Sequence, residues 1–348
     1  MRTYRLAIIG LGRMGSTIDQ EVLDYPPVTL PYSVAASCQA SERLELVAGA
    51  DLLTEKRKAF QEKWGTQALY EDFIEMIDKE SPDVVAICTK GDNHAELTIK
   101  VAESGVPMIF CEKAMGCSMA EADAARDAVR KSGAKYVTGV LHRWGAPYQD
   151  LRRRIEAGEI GVPTHAVQYG QRTLLHGHVH SVSTLMYFLG DPNAVSVWGE
   201  LLPRDLEFEN GRLDKDPTAV YQIEFDNGTA AYHVPAGHHD FEVYGTEGVF
   251  RLANNGVHLS IRKALDEGGR FKPFMETTLP PPAGPRSATV NMLEDLIGAH
   301  EENRPTLCDI DRTHHGMEIL FAIAECHQLR AQRVQLPVTN RERYIFHV

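Results

Sequence analysis

Gly10-Leu11-Gly12-Arg13-Met14-Gly15 constrains what this chain can fold into more than any other stretch. It follows the continuous apolar run Tyr4–Gly10, which suits a strand covered on both faces, and it opens a segment expected to be helical. Three glycines at this spacing say little in isolation; between a strand and a helix they acquire a mechanism. Gly10 permits a tight turn, Gly12 lets a pyrophosphate approach the backbone, and Gly15 allows the helix to pack on the strand. Leu11, Arg13 and Met14 complete the turn, and the helix N-terminus offers N–H groups and a positive dipole end to phosphate.

Strand and helix signals alternate through the first third. Glu45–Ala50, Asp83–Thr89 and Pro107–Cys111 are apolar runs, and helical patterns cover Thr54–Trp64, Tyr70–Lys79 and Ala95–Ser104. That alternation predicts a parallel, doubly wound sheet, a Rossmann domain over residues 1–140. Asp51 closes the second strand, where a carboxylate accepts hydrogen bonds from ribose hydroxyls and repels a 2′-phosphate, so the expected cofactor is NAD rather than NADP. Asp51 lies 36 residues after Gly15, where about 20 is usual. The excess falls in Asp24–Arg43, whose prolines and small residues read as an inserted loop, either a surface excursion or a flap over the site.

Beyond residue 140 strand-like runs crowd together at His165–Arg172, Ala194–Leu202, Thr218–Phe225, Thr229–Val234, Phe241–Tyr244, Val249–Leu252 and Val257–Ile261. Asp226-Asn227-Gly228 and Asn254-Asn255-Gly256 are hairpin turns. With helices near Ser181–Leu189, Thr289–Glu301 and Thr313–Arg330, residues 141–348 read as an α+β domain with a large, mostly antiparallel open sheet. Its closing helix and strand are expected to pack back toward the first domain, and residues 264–286 to form a loop.

A net charge of −12 without a long basic run argues against nucleic acid or an anionic membrane as partner. The apolar run Leu6–Leu11 is too short for a signal peptide, and the six cysteines show no framework spacing; both point to a cytoplasmic protein with reduced thiols.

Cys111-Glu112-Lys113-Ala114 ends a strand-like segment where active sites of open α/β sheets lie. Here the chain resembles the Gfo/Idh/MocA oxidoreductases, which carry Glu-Lys-Pro at this point. Thr89 with Asn93-His94-Ala95-Glu96, Ile155–Gly161, Phe241–Leu252 and Thr313–Pro337 are similar to further family segments. The resemblance implies sugar or polyol substrates, NAD, cofactor contacts from Thr89, His94, Glu112 and Lys113, and a homo-oligomer, dimer or tetramer, packed through the open sheet. It also implies a lysine, an aspartate and a histidine around the reacting carbinol. Lys113 matches the lysine, and His180, opening His180–Asp191, matches the histidine. His176 stands where the aspartate is usual, Ser183 where another often lies, and Ala114 replaces the proline.

The chemistry suits hydride transfer. An imidazole can take the hydroxyl proton, and an ammonium stabilises the developing alkoxide. A carboxylate beside His180 would raise its pKa; His176 removes that effect, which predicts a weaker base relayed through His176. Tyr169, Arg172, His178 and His142 are the expected substrate contacts. The run His176-Gly177-His178-Val179-His180 invites a metal reading, but the helical spacing of Val182, Leu185, Met186 and Leu189 and the missing carboxylate or cysteine argue for none. His238-His239 and His314-His315 read as loop and helix-surface residues. The expected reaction is NAD-dependent oxidation of a secondary alcohol. Its rivals are a redox-neutral enzyme with retained NAD, performing elimination, epimerisation or glycoside cleavage, and a non-catalytic NAD-binding regulator.

Overall fold

The computed structural model describes residues 2–265 and 272–347 and divides into two compact units. The first comprises Met1–Trp144, Arg286–His314 and His347–Val348; the second comprises Gly145–Pro285 and His315–Phe346. The division is therefore not two contiguous stretches.

In the first unit, six parallel strands alternate with helices: β1 (Tyr4–Ile9), α1 (Val34–Gln39), β2 (Leu44–Ala50), α2 (Thr54–Trp64), β3 (Ala68–Tyr70), α3 (Phe73–Glu80), β4 (Val84–Ile87), α4 (His94–Glu103), β5 (Met108–Cys111), α5 (Met119–Ser132) and β6 (Lys135–Thr138). The sheet order β3-β2-β1-β4-β5-β6 reverses direction between β1 and β4, which opens a crevice at the carboxyl ends of the strands. Leu6, Ala7 and Ile8 of β1 and Ile109, Phe110 and Cys111 of β5 are fully buried, as central strands covered on both faces must be.

The segment after the glycine turn departs from expectation. It is not an α-helix but a five-residue π-turn, Arg13–Thr17, followed by a 3₁₀ turn, Ile18–Glu21. Gly15-Ser16-Thr17-Ile18 has low helix propensity, and Asp19 Oδ1 accepts from Tyr32 N at 2.7 Å, turning its carboxylate toward the chain ahead. Nor is 24–43 wholly an inserted loop. Residues 34–39 form α1, with Val34, Ala35, Ser37 and Cys38 buried, so only the stretch around Leu23–Leu30 is an excursion.

The second unit holds α6 (Ala146–Glu156), β7 (Pro163–Tyr169), α7 (Val179–Phe188), β8 (Ala194–Leu202), β9 (Arg212–Leu213), β10 (Thr218–Phe225), β11 (Ala230–Val234), β12 (Asp240–Gly245), β13 (Gly248–Ala253), β14 (His258–Ala264) and β15 (Phe274–Leu279). Helix α8 (Ala288–Glu301) returns to the first unit, the boundary then falls within α9 (Ile310–Gln328), and β16 (Val334–Gln335) and β17 (Tyr344–Ile345) close the chain. The nine-stranded sheet runs β15-β14-β13-β12-β7-β11-β10-β8-β16, antiparallel except where β11 pairs with β7. Both hairpin turns form where expected, between β10 and β11 and between β13 and β14. Residues 264–286 are not simply a loop, because 274–279 pair with β14 as the edge strand; 266–271 lie outside the described residues. Strand β10 alternates buried Ala219, Tyr221, Ile223 and Phe225 with half-exposed neighbours, the signature of a sheet with one covered and one open face.

Candidate active site

The glycine turn is built as its spacing requires. Gly10 has φ +90°, and a Cβ there would lie 2.8 Å from the Cys88 carbonyl carbon. A Cβ on Gly15 would fall 2.2 Å from Gly10 O, so this crossing closes only on glycine. At Gly12 the nearest atom to such a Cβ would be Lys56 Nζ at 3.6 Å, so the outer side of the turn is open to a ligand. Arg13 extends into solvent in an ion pair with Glu21, and Met14 is half-buried. Asp51 Oδ2 accepts from Leu11 N at 2.9 Å, and Oδ1 from Leu53 N at 3.0 Å. Lys56 Nζ stands 3.8 Å from Asp51 Oδ2, a cation that the sequence reading overlooked.

At the carboxyl ends of β4 and β5, Thr89, His94, Glu112 and Lys113 gather. Thr89 Oγ1 donates to Asn93 Oδ1 at 2.5 Å. His94 is 1% exposed, with Nδ1 2.7 Å from Ala114 O and Nε2 3.2 Å from Thr89 O, so its ring is engaged within the protein. Burial lowers its pKa against the opposing pull of both carbonyls, leaving a neutral ring that donates to one of them. Glu112 is buried; Oε2 accepts from Lys113 N at 3.3 Å, while Oε1 has no protein partner. Burial raises its pKa, opposed by the Lys113 cation and amide. The peptide Lys113–Ala114 is cis, and His347 Nε2 lies 3.2 Å from Lys113 O. His142 sits half-buried in the short turn Leu141–Trp144 of the same unit.

The second unit carries the histidines. Strand β7 stops at Tyr169, and Leu174–His178 form a π-turn running into α7. The three histidines therefore do not share a strand face. His176 is exposed, His180 half-exposed, and His178 0% exposed. The side chain of His178 points inward rather than toward solvent, with Nδ1 3.3 Å from Tyr221 Oη and its ring 4.2 Å from that of His233. Gln168 joins His233 and lies 3.5 Å from His239 Nδ1. Burial pushes His233 down to about 4; burial and then the Arg172 cation push His239 down to about 3. His239 and His314, 5% exposed each, are thus not surface residues; His314 Nε2 lies 2.7 Å from Asp123 Oδ1.

Asp216, which no sequence signal marked, clamps the histidine turn: its carboxylate accepts from Leu175 N at 2.9 Å and His176 N at 2.8 Å. Arg172 is exposed and packs its stem over Gly177, where a Cβ would fall 2.4 Å from Arg172 Cβ. Tyr169 shares the open sheet face with Val167 and donates to Glu242 Oε2 at 3.2 Å, while its neighbour Gln168 faces the buried histidines.

Open space at Gly12 and the unpartnered buried oxygen of Glu112 fit a dinucleotide lying from the glycine turn to the end of β5. The first unit is the NAD-binding domain of an oxidoreductase. Residues 4–140 match "Oxidoreductase family, NAD-binding Rossmann fold", and residues 165–336 match "Oxidoreductase family, C-terminal alpha/beta domain". The chain belongs to the Gfo/Idh/MocA family. The scyllo-inositol 2-dehydrogenase (NAD(+)) of Bacillus subtilis (strain 168) is 29% identical over 295 residues, 78% of this chain and 81% of that protein. The D-glucoside 3-dehydrogenase of Escherichia coli (strain K12) is 27% identical over 250 residues, 66% and 67% of the two chains. Among solved structures, the aldose-aldose oxidoreductase from Caulobacter crescentus, complexed with glycerol, shares the fold at a TM-score of 0.77 and 19% identity, covering 96% of this chain and 100% of that one. Among the described residues no helix is long and apolar enough to cross a membrane.

Proposed function

We propose that this protein is an NAD-dependent dehydrogenase acting on a secondary alcohol of a sugar, polyol or sugar derivative. The observation that carries the reading is Lys113, a cation at the carboxyl end of β5 beside the buried Glu112. The names of the inositol and glucoside dehydrogenases among its relatives support the substrate class. Bound NAD supplies the hydride acceptor or donor. Gly10, Gly12 and Gly15 hold the phosphates, Asp51 the ribose hydroxyls, and Thr89, His94 and Glu112 shape the end of the site nearest Lys113. Lys113 stabilises the alkoxide and His180 takes the hydroxyl proton, with His176 as its relay and Arg172 and His142 as substrate contacts. His178 keeps the turn bearing His176 and His180 in place from beneath.

The protein is further read as a cytoplasmic homo-oligomer. Its six thiols are free, and Trp198, Tyr232 and Val167 form a half-exposed apolar row with Gln222 across the open sheet face. A panel of sugars and polyols assayed for NADH absorbance tests the activity, and a panel without turnover sinks it. The competing reading, a redox-neutral reaction with retained NAD, is favoured by His176 in place of a carboxylate; NAD that survives purification without net NADH formation would select it.

A further inference from the structure

Both carbonyls that flank the Lys113–Ala114 peptide meet an imidazole. His94, the first residue of α4, lies 2.7 Å from Ala114 O, and His347 lies 3.2 Å from Lys113 O. His347 is 2% exposed, and its ring rests against Gly91, in the short turn that leads into α4. A Cβ at Gly91 would stand 2.1 Å from His347 Cδ2 and 2.8 Å from its Nε2, so the contact exists only because residue 91 has no side chain. We propose that His347 is a positioning residue for Lys113, donating from Nε2 to the Lys113 carbonyl and using Gly91 as a seat for its ring. The proposal rests on the reading of Lys113 as a group that meets substrate.

The chemistry of the contact is consistent throughout. A carbonyl is only an acceptor, so the proton of the neutral ring sits on Nε2. Burial, followed by the nearby Lys113 cation, holds His347 down to about 4, and the ring is neutral at ordinary pH. A neutral donor fixes the Lys113 backbone without adding a second positive charge beside its ammonium. Lys113 leaves the end of β5 from a backbone tied at residue 113 by His347 and at residue 114 by His94. Freeing one tie changes where the ammonium stands, and small displacements of a catalytic group cost large factors in rate.

The test uses the intact protein and reads Lys113 directly. Acylation by acetic anhydride, followed by mass spectrometry across pH, gives a reactivity profile for Lys113, with Lys100 on α4 as internal reference. His347→Ala is expected to change the Lys113 rate at least about threefold and to shift its midpoint, while Lys100 is unchanged. His347→Gln, whose amide can donate from a similar reach, is expected to restore the profile. Gly91→Ala, which drives the ring off its seat, is expected to reproduce His347→Ala, and the double variant to be no worse than either single one. On whichever sugar the unmodified protein oxidises, His347→Ala should lower kcat about tenfold with KM for NAD unchanged. A Lys113 profile identical in His347→Ala and the unmodified protein overturns the proposal, as do fully additive effects of Gly91→Ala and His347→Ala. If His347→Ala does not fold, Gly91→Ala and His347→Gln decide alone. A sugar panel without turnover would sink the dehydrogenase reading and leave the Lys113 profile to decide the positioning.

Discussion

Leu11 N donates to Asp51 Oδ2 at 2.9 Å, so the carboxylate at the end of β2 ties down the glycine turn at the end of β1. On the proposed reading Asp51 then has two tasks: it holds the loop assigned to the phosphates, and it presents charge to the ribose. Lys56 Nζ, 3.8 Å from that carboxylate, is the cation a 2′-phosphate would find once the aspartate is gone.

Asp51→Ala is expected to weaken NAD binding about tenfold and to strengthen NADP binding, because it removes the ribose hydrogen bonds and the repulsion together. Adding Lys56→Ala should cancel the NADP gain. Fluorescence titration with NADH and NADPH measures both; equal affinities for the two cofactors in the unmodified protein would remove the assigned role of Asp51.

Lys113→Ala and His180→Ala should each lower turnover by at least about a hundredfold. NADH affinity should change little with His180→Ala, since that residue lies outside the NAD-binding domain. Steady-state kinetics and NADH titration of the two variants check this, and turnover indifferent to both would mean that the chemistry lies elsewhere.

His176→Asp places a carboxylate at the one exposed position of the turn 174–178, whose backbone Asp216 already holds. The new charge should raise the pKa of His180 and move the acidic limb of the pH–rate profile upward. A profile that does not move would show that His176 and His180 are uncoupled; loss of all activity would show that His176 has a role of its own.

Acid should unfold the protein over a defined window. His233 and His347, each near 4, and His239, near 3, bind protons far less readily folded than unfolded, where an imidazole titrates near 6.5. The unfolded state binds more protons below 6.5, so stability is intact above that pH and is lost as pH falls toward 4. One imidazole held near 4 withdraws about 3 kcal/mol by the time it is protonated. Melting temperature measured from pH 7 to pH 4 should fall steeply, and His233→Gln should flatten the slope.

Shortening the stretch 24–29 should leave the melting temperature nearly unchanged, because none of it is buried, whereas removing the buried α1 should abolish folding. If the short variant also keeps its kinetics on every substrate tested, the excursion is not a flap.

Local grammar made the Rossmann half and the hairpins readable: apolar runs, glycine spacing and turn residues act over a few positions. What stayed hidden depends on distant partners. His314 meets Asp123 from 191 residues away, and Gln168 turns inward only because His233 and His239 are there to bond its amide. Hydropathy would have placed Tyr169 inside and Gln168 outside; the hydrogen-bonding needs of the buried cluster reverse them. Lys113 and His180 are proposed on motif resemblance, whereas His347, Asp216 and Lys56 carry no local pattern at all.

The first unit draws on pieces far apart in the chain, and this sets the timetable of its synthesis. Helix α8 packs against β5 and β6, with Leu293, Leu296 and Ile297 fully or nearly fully buried. When Trp144 has left the ribosome, that flank of the sheet still lacks its cover, and at about 5–20 residues per second the missing helix follows roughly ten seconds or more later. A nascent chain of this kind presents greasy sheet to its surroundings while Gly145–Pro285 of the second unit are being made, which makes it a natural client for chaperones and a poor subject for expression as an isolated N-terminal half.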